Sequence, residues 1–191
     1  PIWAQLVFGA RISLMVGVAA TLIAIVIGTL VGGAAGFFGG WVDAVLSRLS
    51  EWFLVIPFIP LAIVLAAVLG PSLQNIILVI GITSWPVTAR LIRAQVLTIK
   101  QRLYVERSRA LGASSAHVMG RHILPNVMPL VIANTTLTVP IAILSETTLA
   151  FLGLGDPTEV SWGKMLEEAF DAGALSQEAW WYYVPPGVAV V

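Results

Sequence analysis

Few residues in this chain carry chemistry, and their spacing sorts them. Glu106 and Gly112 lie six apart in a basic segment that closes on Leu124-Pro125. His117 and His122 are the only histidines, and there is no cysteine, so a disulfide framework, a thiolate metal site and a redox pair are all excluded. Gly163-Lys164 is followed by Met165, and Thr158 stands where a phosphate-cradling loop needs its upstream glycine. The chain is therefore not an ATPase of that type, and no nucleophile–base or metal constellation points to an enzyme. No cofactor is expected. Glu146, with Thr147 beside it, closes a long uncharged run. An ionisable group at that depth is a candidate for a translocation path, where it would meet a solute amine. The other reading is a carboxylate solvated near the outer interface.

The elements that hold these residues are set by composition. Hydrophobic residues make up 58% of the 191 and charged residues 10%. A soluble domain carries about 25% charged residues, so this chain has too little wet surface for water and is expected in a lipid bilayer. Ile12–Val42 is an uncharged run of 31 residues. A spanning helix needs about 20 apolar residues. Gly28, Gly32, Gly36 and Gly40 recur every fourth position in it, a stripe along which another helix can approach closely. Phe53–Leu69 is read as a second span despite Pro57 and Pro60, and Gly70-Pro71-Ser72 as a turn. Asn75–Ala89 is a third span, longer if Arg90 reaches the interface by snorkelling, with Pro86 bending its inner end. Ile123–Ser145 is a fourth, and Val184 opens a fifth. Asn134-Thr135-Thr136 matches a glycosylation pattern but lies inside an apolar run, where it has no such use.

Charge orients the spans. Residues 90–125 hold seven of the ten basic residues against one acid, Glu106, whereas 151–182 hold six acids against Lys164. Basic loops stay cytoplasmic, so the 90–125 segment faces inward and the acidic loop outward, with Trp180, Trp181, Tyr182 and Tyr183 as an interfacial belt at an outer turn. A short helix is expected within the acidic loop, over Met165–Ala174. In the basic loop, Tyr104–Leu111 reads as a helix that Gly112 stops. Ser114 caps a second short helix through about Arg121, and Pro125 fits the first turn of the following span.

These residues carry a resemblance. The run from Glu106 through Gly112 to Leu124-Pro125 resembles the EAA loop of binding-protein-dependent ABC importer permeases: Glu-Ala-Ala, three residues, Gly, about nine residues, an apolar residue, one more, then Leu-Pro. The phrases Gly9-Ala10-Arg11-Ile12-Ser13-Leu14, Phe38-Gly39-Gly40-Trp41-Val42-Asp43, Phe151-Leu152-Gly153-Leu154-Gly155 and Ser161-Trp162-Gly163-Lys164-Met165-Leu166 are similar to the dipeptide/oligopeptide/nickel branch. Two departures from the pattern stand out: Arg107 and Ser108 replace the alanines, and His122 replaces the apolar residue.

The resemblance implies an all-α polytopic integral membrane protein, the transmembrane domain of a type I ABC importer, with about four full spans and part of a fifth. It implies one domain over 1–191, cut at both ends, with a coupling loop at about 98–125. It further implies the role of a permease subunit in the inner membrane, importing di- or oligopeptides. The implied partners are a second permease subunit, cytoplasmic ATP-binding subunits that grip Glu106, Arg107, Ser108, Gly112, Leu124 and Pro125, an extracytoplasmic solute-binding protein and the bilayer, but no nucleic acid. A secondary transporter or channel is the alternative; it calls for buried coupling acids or broken helices at mid-membrane, and the spans lack such acids.

Overall fold

The computed structural model describes residues 2–191, and among them every regular element is helical. The elements are α1 (Ile2–Phe38), α2 (Gly40–Val55), α3 (Phe58–Leu69), α4 (Leu73–Lys100), α5 (Leu103–Ala110), α6 (Ser115–Val118), α7 (Leu124–Leu149), α8 (Trp162–Asp171) and α9 (Trp180–Val190). A π-helical turn at Met119–Ile123 joins α6 to α7, and a second at Ala150–Leu154 follows α7. Pro1 lies outside the described residues.

Three helical stretches are long and apolar enough to cross a membrane: Ile2–Phe38, Leu73–Lys100 and Ser115–Leu154. The second expected span is broken. A continuous helix over Phe53–Leu69 does not form, because Ile56 is extended (φ −78°, ψ 125°) and α2 and α3 meet at 88°. The cause is Pro57, whose ring crowds the preceding residue out of the α region. α3 alone is 12 residues, about 18 Å against a hydrocarbon core of about 30 Å. The bent pair makes a fourth span only if it is counted as one. The third span is the longer of the two expected forms, since α4 continues past Arg90 to Lys100 with Pro86 inside it. At the far end, the four aromatics open helix α9 rather than forming a turn.

The chain divides into two compact units. The first comprises the stretch up to Ile23, Pro57–Thr83 and Leu137–Val191. Its core gathers Val16, Ala62, Ile76, Ile80, Ala142 and Leu149 from α1, α3, α4 and α7. The second comprises Ala24–Ile56 and Ser84–Thr136, with a core that includes Phe37, Ile92, Val96, Val105, Val118 and Ile123. Here the glycine stripe is a packing seam. A Cβ on Gly28 would lie 2.5 Å from the Thr88 side chain, one on Gly36 would lie 2.9 Å from Val96, and one on Gly32 would strike the backbone of Ala89. The stripe ends there: Gly40 lies past the end of α1 with open space around it.

Candidate functional site

The basic loop is built as a short helix on one anchor. Of the eight residues of α5 only Val105 is buried, fully, in the core of its unit. Glu106 and Arg107 are exposed, and no hydrogen bond or ion pair holds either side chain among the described residues. Leu103 and Leu111 are exposed as well, at 69% and 89%. A helix with one buried residue leaves most of its surface free for another protein.

Gly112 ends this helix as the sequence indicates. It sits at φ +84°, where an L side chain is strained. Its N–H donates to the Arg109 carbonyl at 2.9 Å, and the Ala113 N–H donates to the Ser108 carbonyl at 3.1 Å. The paired bonds satisfy the last carbonyls of α5 in a Schellman arrangement. Ser114 then caps α6, its hydroxyl accepting from the His117 N–H at 3.2 Å.

The second short helix does not stand apart from the following span, as the sequence had suggested. Helix continues from Ser115 through the π-helical turn and along α7 to Leu149, with a kink only beyond it at Gly153 (φ +77°), so Pro125 lies about ten residues inside the helix rather than at its start. Proline has no N–H to give, and the turn before it widens: the Leu124 N–H reaches back five residues to the Met119 carbonyl. Leu124 and Pro125 are both exposed.

The two departures from the family pattern meet. His122 Nε2 lies 3.2 Å from the Ser108 hydroxyl, and the His122 ring packs against Tyr104 and His117 at 5.7 and 5.8 Å. The pair binds α5 to the π-helical turn. No group of three or more His, Asp or Glu among the described residues is placed to hold a metal ion.

Sequence reasoning missed what surrounds this loop. Lys100, the last residue of α4, donates to the Gly36 and Phe37 carbonyls at 3.1 and 2.8 Å, satisfying the open end of α1. One face further up α4, Arg93 holds Asp43 bidentately, Nε to Oδ1 at 2.5 Å and Nη2 to Oδ2 at 2.6 Å. The signal was present as two basic residues seven apart, which share a helix face.

Glu146 is placed differently. It is 2% exposed, not solvated. Its carboxylate accepts from the Ser13 hydroxyl at 3.2 Å, and Ser161 lines the same small cavity. Each serine in turn accepts a backbone N–H from the start of α8, Ser13 from Trp162 and Ser161 from Lys164, both at 3.2 Å. The carboxylate is thus tied through the Ser13 hydroxyl to the start of α8, at the positive end of the helix dipole. Trp162 Nε1 donates to the Leu6 carbonyl at 3.0 Å, and Gly163 lies so close to Thr147 that a Cβ would be 2.7 Å from its Cα. Thr147 is itself buried. Beside this cluster, the Thr158 hydroxyl and N–H hold the Asp156 carboxyl below its usual range, and the Leu73 N–H adds to that. Three of the phrases quoted above supply residues here: Ser13, Gly155 and Ser161-Trp162-Gly163.

A bundle of long apolar helices with an exposed basic loop defines a multi-pass membrane protein. The family model described as "Binding-protein-dependent transport system inner membrane component" matches residues 24–191, and the chain belongs to that family. It is 38% identical over 191 residues to the dipeptide transport system permease protein of Alkalihalophilus pseudofirmus, covering 100% of this chain and 62% of that protein. It is 41% identical over 179 residues to the dipeptide transport system permease protein of Bacillus subtilis (93% and 56% covered). The oligopeptide transport system permease protein of the same organism is 39% identical over 180 residues (94% and 58% covered). The chain therefore spans less than two thirds of the length of these relatives. In fold it matches a chain of the MetNI methionine ABC transporter in inward-facing conformations, with a TM-score of 0.73 and 20% identity over 99% of this chain and 94% of that one.

Proposed function

We propose that this chain is the membrane-embedded part of a permease subunit that imports di- or oligopeptides. It pairs with a second permease subunit, receives solute from an extracytoplasmic binding protein, and is driven by separate cytoplasmic ATP-binding subunits. The observation that carries this reading is α5: a basic-loop helix with one buried residue, fixed at its end by Gly112 and followed by a helix that runs on into a span. A surface so exposed and so firmly mounted suits a rigid contact with a partner that moves. Peptide enters the proposal from the names of relatives about two fifths identical over nearly the whole chain.

Glu106, Arg107, Ser108, Gly112, Leu124 and Pro125 belong to the loop's docking role. Arg107 is exposed and free to pair with an acid on the ATPase. Glu146 and Thr147 join the path only in a state where the start of α8 has lifted away from them. The whole of 1–191 acts here as a single transmembrane domain.

The test uses the complete transporter in liposomes. Glu106→Ala should lower solute-stimulated ATP hydrolysis about tenfold or more while membrane insertion stays normal. Transport at the wild-type rate would overturn the proposal.

A further inference from the structure

The loop helix touches more than the span that follows it. The Arg109 guanidinium of α5 sits over the Phe37 ring, with Cζ 5.7 Å from its centroid. Lys100 lies over the same ring at 6.0 Å while its ammonium caps the carbonyl of that very residue. Phe37 is 6% exposed and shares a core with Val105, the one buried residue of α5. One turn beyond, Asp43 at the start of α2 is held by Arg93. The elbow between α1 and α2, Phe38-Gly39-Gly40, therefore stands between two fixed points on α4, with α5 pressed on its aromatic side.

We propose that Phe37 is a positioning residue that carries movement of α5 to the α1–α2 elbow, so that the loop drives the end of α1 as well as α7. The proposal rests on the reading that α5 docks on an ATPase. Gly39 and Gly40 follow at positive φ with no neighbour near their α-carbons, so the elbow has freedom to swing on the α2 side. Lys100 and the Phe37 ring keep the α1 side stiff. Cation–ring contacts of this kind are modest and strengthen with desolvation, which suits biasing a two-state element more than holding the fold.

The chain has no cysteine, so labels can be placed singly or in pairs. In the reconstituted full transporter, spin labels at Phe38→Cys and Leu103→Cys, both highly exposed, report the distance from the α1 side of the elbow to α5. It should stay the same between nucleotide-free and ATP-trapped states. A change between those states would overturn the proposal, whatever the ATPase assays show. Phe37→Leu and Phe37→Ala should then reduce solute-stimulated ATP hydrolysis about threefold to tenfold, leaving basal hydrolysis and ATPase co-purification unchanged. Full stimulation in Phe37→Ala would equally overturn it. If Phe37→Ala does not assemble, the distance measurement in the Phe37 protein decides. Should Glu106→Ala prove harmless, the docking reading fails by its own test, and a constant distance would then describe only a rigid scaffold and overturn the relay.

Discussion

Two glutamates in this chain face opposite conditions. Glu106 stands on a helix with one buried residue, has no partner among the described residues, and is exposed. Glu146 is sealed at 2% exposure and bonded through Ser13 to the start of α8. An ionised group left bare is cheap in water and useless to the fold, so Glu106 is available for a contact outside the chain. A carboxylate buried with its hydrogen bonds satisfied is the reverse, since removing it strands its donors. The contrast teaches that the two acids cannot be read by residue type: one is left outside the packing and the other is built into it.

The largest expected effect comes from deleting the buried one. Glu146→Leu leaves the buried Ser13 hydroxyl, which itself holds the Trp162 N–H of α8, without its acceptor and should destabilise the protein by about 1–3 kcal/mol, read as a lowered thermal midpoint in detergent. Glu146→Gln keeps an acceptor oxygen and should recover most of the loss. Glu106→Leu should leave the midpoint unchanged. Equal losses at the two positions would break the comparison.

Glycines sharpen it next. Gly163→Ala puts a Cβ against the backbone of Thr147 and the side chain of Ala150, an overpacking of about 1–3 kcal/mol. Gly112→Ala meets nothing within 4 Å, and its cost is the backbone alone, about 1–2 kcal/mol at φ +84°. The first should lower the midpoint more. The second should instead uncouple ATP hydrolysis by re-aiming α5. Gly120→Ala, helical and without neighbours, is the control and should be neutral or slightly stabilising.

The smallest effect lies between the two departures from the loop pattern. A double-mutant cycle on Ser108→Ala and His122→Leu should give a coupling of about 0.5–1.5 kcal/mol, because each removes the other's partner. Strict additivity would show that the 3.2 Å contact does not contribute to the stability of the loop.

Much of this was legible in the sequence because lipid imposes simple rules. The uncharged runs Ile12–Val42 and Ile123–Ser145 fall largely within the long helices α1 and α7, and a glycine stripe became a seam at Gly28, Gly32 and Gly36. Gly112 and Ser114 act locally, through their own backbone and hydroxyl, so the end of α5 and the start of α6 could be placed from them. Pro57 and Pro125 were misjudged for one reason. A proline in a membrane helix is compatible with a kink, a break or a widened turn, and neighbouring groups decide among them. The anchor at Glu146 was hidden because its partner Ser13 and its neighbour Ser161 are single hydroxyls far apart in the chain, with no periodicity to announce them. The grip on the α1 end was hidden because Lys100 looked like one more positive charge in a basic loop.

Leu111 offers the most direct measurement. It is 89% exposed at the end of α5, in a chain without cysteine. In Leu111→Cys, a membrane-impermeant maleimide should label inside-out vesicles stripped of ATPase subunits, should be blocked when those subunits are restored, and should not label intact cells from outside. Labelling from the outer face, or labelling indifferent to the ATPase, would contradict the assignment of this helix as the docking element.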